Sequence, residues 1–276
     1  MARSMIPMAM AAGSNGASIL FLLHLTILSL LGGGAEAATS FSFTNACAHP
    51  VWVGTLSGAT SAPLSSTGFY LASGATTALA APSSGAWSGN FWARTGCATD
   101  GSTGRFSCAT ADCGSGDVAC GGRGPAPPVT LAEITLAAPG SGGLDFYDVS
   151  LVDGFNVPLR IAPSSGVTSG NNGCSAAACA GDVNAVCPSD LRVVAGSGSG
   201  SGSAVVACKS ACNAYGTARY CCSGDYGTPQ ACGPTNYSQV FKAACPTAYS
   251  YAYDDASSTF TCSGAAAYDV TFCPAN

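Results

Sequence analysis

The chain has 276 residues, a formal net charge of −5 and only 8% charged side chains, against roughly 25% in ordinary soluble domains. Nine Lys and Arg residues do not make the basic stripe that nucleic acid requires, and electrostatic attachment to anionic lipid is disfavoured on the same ground. The 16 cysteines are even in number, and in a secreted chain such a count means disulfides rather than a charged surface network holds the fold together.

The N-terminus supports the secreted reading. Arg3 is basic, Ile19 to Leu31 is almost wholly apolar, and Ala35-Glu36-Ala37 carries small residues at both cleavage-defining positions, the pattern of a secretory signal peptide. A transmembrane anchor would need roughly 20 apolar residues. Cleavage after Ala37 is expected, which assigns 1–37 to the leader and 38–276 to the mature domain, and every cysteine lies in the latter.

From Ser40 the pattern is that of β structure. Phe41 and Phe43 alternate with Ser40, Ser42 and Thr44, a turn follows from Asn45 to Pro50, and Val51-Trp52-Val53 resumes the strand pattern. Short apolar runs recur at Gly68–Leu71, Ala86–Arg94, Thr130–Leu136, Leu144–Val152 and Val157–Ile161, separated by Ser, Gly and Pro. Many short strands without a helical period predict an antiparallel sandwich. The last strands, Thr259–Cys262 and Tyr268–Phe272, come from the far end of the chain, so a sheet using both ends would bring Cys47 near Cys273.

Between about 171 and 246 the character changes to a cysteine-dense lobe, so the sandwich is expected from 38–170 and 247–276. Tyr237, Val240, Phe241 and Ala244 fall at i, i+3, i+4 and i+7 and predict one short amphipathic helix, capped by Thr235 or Asn236 and ended by Pro246. Asn236-Tyr237-Ser238 has the form of a glycosylation sequon, but an asparagine that caps this helix would have its side chain engaged. Gly196 to Ser203 is an unbroken Gly-Ser run and reads as a surface insertion.

The stretch Gly104 to Cys120 reads Gly-Arg-Phe-Ser-Cys-Ala-Thr-Ala-Asp-Cys-Gly-Ser-Gly-Asp-Val-Ala-Cys. Cys113 and Cys120 enclose a short turn-forming segment suited to a disulfide-locked hairpin, with Cys108 left to reach back to Cys97. The stretch matches the signature Gly-x-Phe-x-Cys-x-Thr-Ala-Asp-Cys, followed by Gly and Cys, of the thaumatin-like proteins, the fifth family of pathogenesis-related plant proteins. Trp92-Ala93-Arg94-Thr95-Gly96-Cys97, Thr130-Leu131-Ala132-Glu133, Asp153-Gly154-Phe155-Asn156-Val157-Pro158, Cys221-Cys222 and Val270-Thr271-Phe272-Cys273-Pro274 also resemble blocks of that family. Sequence alone leaves on the order of two million pairings for sixteen cysteines. The resemblance implies Cys47–Cys273, Cys97–Cys108, Cys113–Cys120, Cys174–Cys262, Cys179–Cys245, Cys187–Cys208, Cys212–Cys221 and Cys222–Cys232. It further implies a mainly β, thaumatin-like sandwich with a disulfide-rich lobe and a monomer secreted to the apoplast. The apoplast is preferred to the vacuole because Asn276 follows Cys273 by three residues, whereas vacuolar relatives carry a longer tail.

The inventory of reactive groups is short. His49 is the one histidine after residue 37 and sits in a turn, so neither a Ser-His-Asp nor a Cys-His enzyme can be assembled. There is no Cys-x-x-Cys pair, so no metal and no other cofactor is expected. What remains is carboxylates. Glu133 is the sole glutamate after residue 37, on a strand whose apolar side is Ala132, Ile134 and Leu136, so its side chain should point away from the core.

The family resemblance implies a cleft between sandwich and lobe lined by an arginine, a glutamate and three aspartates. The matching positions are Arg94, Glu133, Asp148, Asp153 and Asp254, with Asp145 and Asp255 as competitors that spacing does not reject. Glu133 would be the proton donor and Asp148 would activate water or stabilise the developing cation, while Phe155 or Tyr251 would offer stacking faces to a sugar. The expected partner of such a plant defence protein is β-1,3-glucan or another fungal wall polysaccharide, with binding as the first expectation and slow cleavage as the second. The alternative is a non-catalytic interaction protein, such as an inhibitor of a foreign hydrolase, that uses the disulfide scaffold rather than the cleft.

Overall fold

The computed structural model describes residues 38–275 apart from 84, 166–173 and 196–203. The expected leader and the Gly-Ser run lie outside the described residues. No helix among the described residues is long and apolar enough to cross a membrane.

Two sheets face one another. The first has the order β11 (Ala177–Cys179), β10 (Leu159–Ser165), β15 (Ala267–Phe272), β1 (Ser40–Asn45), β4 (Thr76–Ala80). Its β1 and β15 are parallel, in register from Ser40 opposite Ala267 to Asn45 opposite Phe272. That pairing of the chain's two ends sets up the Cys47–Cys273 bond just beyond it. The second sheet is antiparallel throughout, with the order β14 (Phe260–Cys262), β9 (Asp145–Ser150), β8 (Leu131–Leu136), β5 (Trp87–Arg94), β2 (Val51–Ser57), β3 (Gly68–Leu71).

The core lies between the sheets. Phe41 and Phe43 of β1 meet Phe91 of β5 at ring-centroid distances of 4.8 and 5.0 Å, and all three are fully buried. Alternation along the strands places them there, since successive side chains of a strand point to opposite faces. The same alternation turns Glu133 away from the core: β8 buries Ala132, Ile134 and Leu136, while Glu133 is half-buried on the outer face and Thr135 is exposed. Strand β4 was not anticipated, because Thr76-Thr-Ala-Leu-Ala is an edge segment that remains mostly exposed and so carries no strong hydrophobic pattern.

The outer face of the six-stranded sheet is covered at one end. Trp92, Ala111, Cys113, Cys120, Val129 and Leu131 form a second, smaller core there, built by the signature loop folding back over β5 and β8. That loop begins in a short hairpin, β6 (Ala98–Thr99) with β7 (Phe106–Ser107). The uncovered part of the same face is where the acids lie.

The lobe contains the hairpin β12 (Arg192–Val194) and β13 (Val205–Cys208) and the short helices α1 (Val183–Val186), α2 (Ala211–Tyr215), α3 (Ala218–Cys221) and α4 (Asn236–Ala244); α5 (Asp255–Ser258) follows it. Helix α4 is the one predicted. Thr235 caps it in a reciprocal arrangement with Ser238, so Asn236 is not the cap; it is exposed. All eight disulfides join the pairs that the family resemblance implied.

Lobe and sandwich are joined at Phe155 and Cys208, whose backbones exchange two hydrogen bonds of 2.8 Å. Gly154 makes this possible. Its φ is +94°, and a Cβ there would lie 2.6 Å from the Cys208 carbonyl oxygen and 2.7 Å from Pro128 Cβ, so only glycine permits both the conformation and the approach. The turn carrying Asp153 is thereby fixed against the lobe.

Candidate functional site

Strand register creates the centre of the site. Glu133 on β8 stands directly opposite Asp148 on β9, and directly opposed residues on one face have Cβ atoms about 4.5–5.5 Å apart. In the neighbouring row Thr135 faces Phe146, and on the far side of β8 Asn90 of β5 faces Glu133. A single outer surface thus presents Asn90, Glu133, Asp148, Thr135 and Phe146.

Crowding and burial set the protonation of the pair. Asp148 is pushed up to about 8 by burial, by the charge of Glu133 and by that of Asp255. Glu133 is raised as well, by burial and by Asp153, but the Ser150 hydroxyl favours its carboxylate. Two carboxyl groups so close do not both ionise readily near neutral pH. Burial and two neighbouring charges all favour the protonated form of Asp148, whereas at Glu133 the Ser150 hydroxyl opposes the rise. In keeping with this, Asp148 Oδ1 is buried without a hydrogen-bonding partner.

The other expected site residues divide. Asp153 is close enough to Glu133 to raise it. Asp255, one of the two competitors, acts on Asp148 and accepts a hydrogen bond from the Tyr249 hydroxyl at 2.9 Å. The segment that carries it is docked beside β9 through Tyr249, whose N–H donates to Val149 O at 2.8 Å and whose carbonyl accepts from Leu151 N at 2.9 Å. Asp254 turns instead to Lys242, 2.9 Å away, and accepts from the N–H and hydroxyl of Ser250 at 3.0 and 2.8 Å. Burial alone would raise its pKa, but the lysine and serine donors outweigh that and hold it below the usual carboxylate range. The remaining competitor, Asp145, faces the core side of β9 and accepts from Tyr268 Oη at 2.7 Å and Ala137 N at 2.8 Å.

Arg94 is not the cation of this acidic group. Its side chain is fully buried and donates to Val118 O at 2.6 Å, Val53 O at 3.1 Å and Trp52 O at 3.2 Å. Its guanidinium carbon lies 5.5 Å from the Phe106 ring centroid. Burial lowers its pKa to about 10, against an opposing pull from Asp112. Its work is to clamp the Cys113–Cys120 loop onto β2. The residue facing Glu133 from β5 is neutral Asn90, four positions earlier on the same strand. Phe155, expected as a stacking face, is fully buried in the core.

Phe146, like Asn90, belongs to the face of the acidic pair and is not named by the sequence pattern. It is 48% exposed and shares a face with Asp148, two positions along the same strand. The signal was present in the alternation of Asp145, Tyr147 and Val149 with Phe146, Asp148 and Ser150, once Asp148 was assigned to the outer face.

A disulfide-braced β-sandwich with a cysteine-rich lobe and an acidic pair on its outer sheet face defines a class, and comparison with known proteins agrees. The profile described as the Thaumatin family matches residues 45–274, and the chain belongs to that family. It is 53% identical to "Thaumatin-like protein 1a" of Malus domestica, over 92% of this chain and 97% of that relative. It is 54% identical to a Prunus avium protein named "Glucan endo-1,3-beta-glucosidase", over 93% of this chain and 98% of that relative. A Cryptomeria japonica protein, "Pathogenesis-related thaumatin-like protein 3.5", is 51% identical over 92% of this chain and 98% of its own length.

Proposed function

We propose that this is a secreted plant defence protein that binds β-1,3-glucan of fungal walls at the acidic face centred on Glu133 and Asp148. The observation that carries the reading is the direct cross-strand pairing of these two residues, with burial and neighbouring charge favouring a proton on Asp148. Such a pair offers a donor and an acceptor side by side, which suits the hydroxyls and ring oxygens of a neutral sugar. Phe146, exposed in the next row, supplies an aromatic face for the apolar side of a sugar ring, and Asn90 adds a neutral amide. The name borne by the Prunus avium relative is in keeping with this ligand. Secretion to the apoplast is part of the proposal and is supported by eight disulfides, which persist in oxidising compartments.

The same pair has the elements of a glycosidase, one carboxylic acid and one carboxylate. With Asp148 as the acid and Glu133 as the carboxylate, a carboxyl separation of about 5–5.5 Å would let the carboxylate attack or stabilise the sugar directly. Slow cleavage is the corresponding catalytic proposal, secondary to binding.

The experiment is co-sedimentation with insoluble β-1,3-glucan, with reducing ends measured on the supernatant. Wild type should sediment with the glucan, and Glu133→Gln, which removes the ionised acceptor, should bind about tenfold more weakly while melting at an unchanged or higher temperature. Glucan binding that is absent in wild type, or unaltered in Glu133→Gln, would remove the acidic face from the function and leave the inhibitor-like alternative.

A further inference from the structure

The lobe carries a side-chain cluster that the acidic pair does not use. Tyr215 at the end of α2, Tyr220 in α3 and Tyr237 in the first turn of α4 meet with ring centroids 5.5 Å apart for Tyr215–Tyr220, 5.5 Å for Tyr215–Tyr237 and 5.7 Å for Tyr220–Tyr237. The Tyr215 and Tyr237 hydroxyls are 2.8 Å apart, and both reach the same oxygen of Asp190, Tyr237 at 2.7 Å. Tyr215 is 40% exposed, and the other two are half-buried. The Cys212–Cys221 disulfide encloses Tyr215 and Tyr220, and the Cys222–Cys232 disulfide follows it directly, which holds two of the three rings in place before any ligand arrives and lowers the ordering cost of binding.

Tyr220 and Tyr237 line a pocket whose remaining wall includes the polar side chains of Arg219, Ser210 and Thr235. Ser250 and Tyr251 line it too, and Ser250 is the residue that holds Asp254. The pocket therefore adjoins the segment that brings Asp255 to the acidic pair. Three aromatic rings kept at the surface, with their hydroxyls tied to a carboxylate and polar side chains beside them, suit a ligand with apolar faces and a hydroxylated rim. The exposed Asp190 carboxylate disfavours an anion.

We infer that the surface of the Tyr215–Tyr220–Tyr237 cluster forms a second saccharide subsite, on which sugar units of a neutral glucan chain beyond those held at Glu133 and Asp148 stack. The adjoining pocket, about 30 Å³ and too small for a sugar ring, receives a hydroxyl. This inference rests on the glucan-binding reading above and adds length selectivity to it. A chain long enough to reach both places binds more tightly than a short one, because the second contact is intramolecular once the first has formed.

The test is calorimetric titration with β-1,3-linked glucose oligomers of two lengths, a dimer and an octamer. Wild type should bind the octamer at least about tenfold more tightly than the dimer. The double variant Tyr215→Ala, Tyr220→Ala should lose that advantage and leave dimer affinity unchanged, while Tyr220→Phe, which keeps the ring, should retain it. Should the double variant fail to fold, NMR of wild type decides: the ring resonances of Tyr220 and Tyr237 should shift with the octamer and not with the dimer. A folded double variant with undiminished octamer affinity, or tyrosine resonances that do not respond to the octamer, overturns the subsite and leaves the acidic site standing. Absence of binding by both oligomers overturns both readings.

Discussion

Asp148→Asn should make the protein more stable at pH 8 and flatten the fall in its stability between about pH 4 and pH 8. Asp148 has a folded-state pKa raised from 3.8 to about 8. Between those values the folded chain holds a proton that the unfolded chain releases, so stability decreases as pH rises. The stabilisation is fully present below the unfolded pKa and is lost as pH climbs through the folded one. The slope is at most about 1.4 kcal/mol per pH unit. Asparagine imitates the protonated acid in shape and neutrality and cannot ionise. A gain of about 2 kcal/mol at pH 8, or about 4–8 °C in melting temperature, is expected. Thermal melts of both proteins at pH 4, 6 and 8 check this; parallel curves would show that Asp148 is ordinarily ionised. If glucan is cleaved, the same variant loses the proton donor, and turnover should drop about 10²–10⁴-fold.

Arg94→Ala should cost about 3 kcal/mol of stability without altering the protonation of the acidic pair. Three carbonyls, of Trp52, Val53 and Val118, accept from this guanidinium inside the protein. Leaving buried acceptors unpaired costs about 1–3 kcal/mol each, offset in part by water entering the space. The loss corresponds to a melting temperature lower by about 6–12 °C. The discriminating readout is the pH profile: with Arg94 outside the site, the slope between pH 4 and pH 8 is unchanged in Arg94→Ala. A profile that shifts with Arg94 would return it to the acidic group.

The contrast between these two residues shows what the sequence could disclose. Strand alternation in Leu131–Leu136 was enough to turn Glu133 outward, and the α4 periodicity placed its helix. The family blocks carried over all eight disulfides. What they could not carry was the direction of an individual side chain at the end of a strand. Arg94 lies in a block that matches the family, but its guanidinium is drawn into the fold by carbonyls of β2 and of the signature loop, which are 24 to 42 residues away in sequence. Asn90, opposite Glu133, is visible only once the β5–β8 register is fixed. Asp254 and Asp255 are adjacent in sequence and were inseparable by spacing; the position of Lys242 and the docking of Tyr249 beside β9 separate them. Ser150 acts on Glu133 and Asp255 on Asp148, and neither has a sequence signature linking it to its partner. Phe155 sits in a family block beside Asp153, yet its backbone pairing with Cys208 turns it into the core.

The proposed binding of β-1,3-glucan depends on Asp148 in its protonated form acting together with Glu133. The most direct measurement is the affinity of wild type for a β-1,3-linked glucose octamer at pH 5 and at pH 9, by calorimetry in the same salt. At pH 5 Asp148 carries its proton and is available as a hydrogen-bond donor; at pH 9 that donor is gone. Binding at pH 5 should weaken by at least about tenfold at pH 9. Equal affinity at the two pH values, or no binding at pH 5, would contradict it.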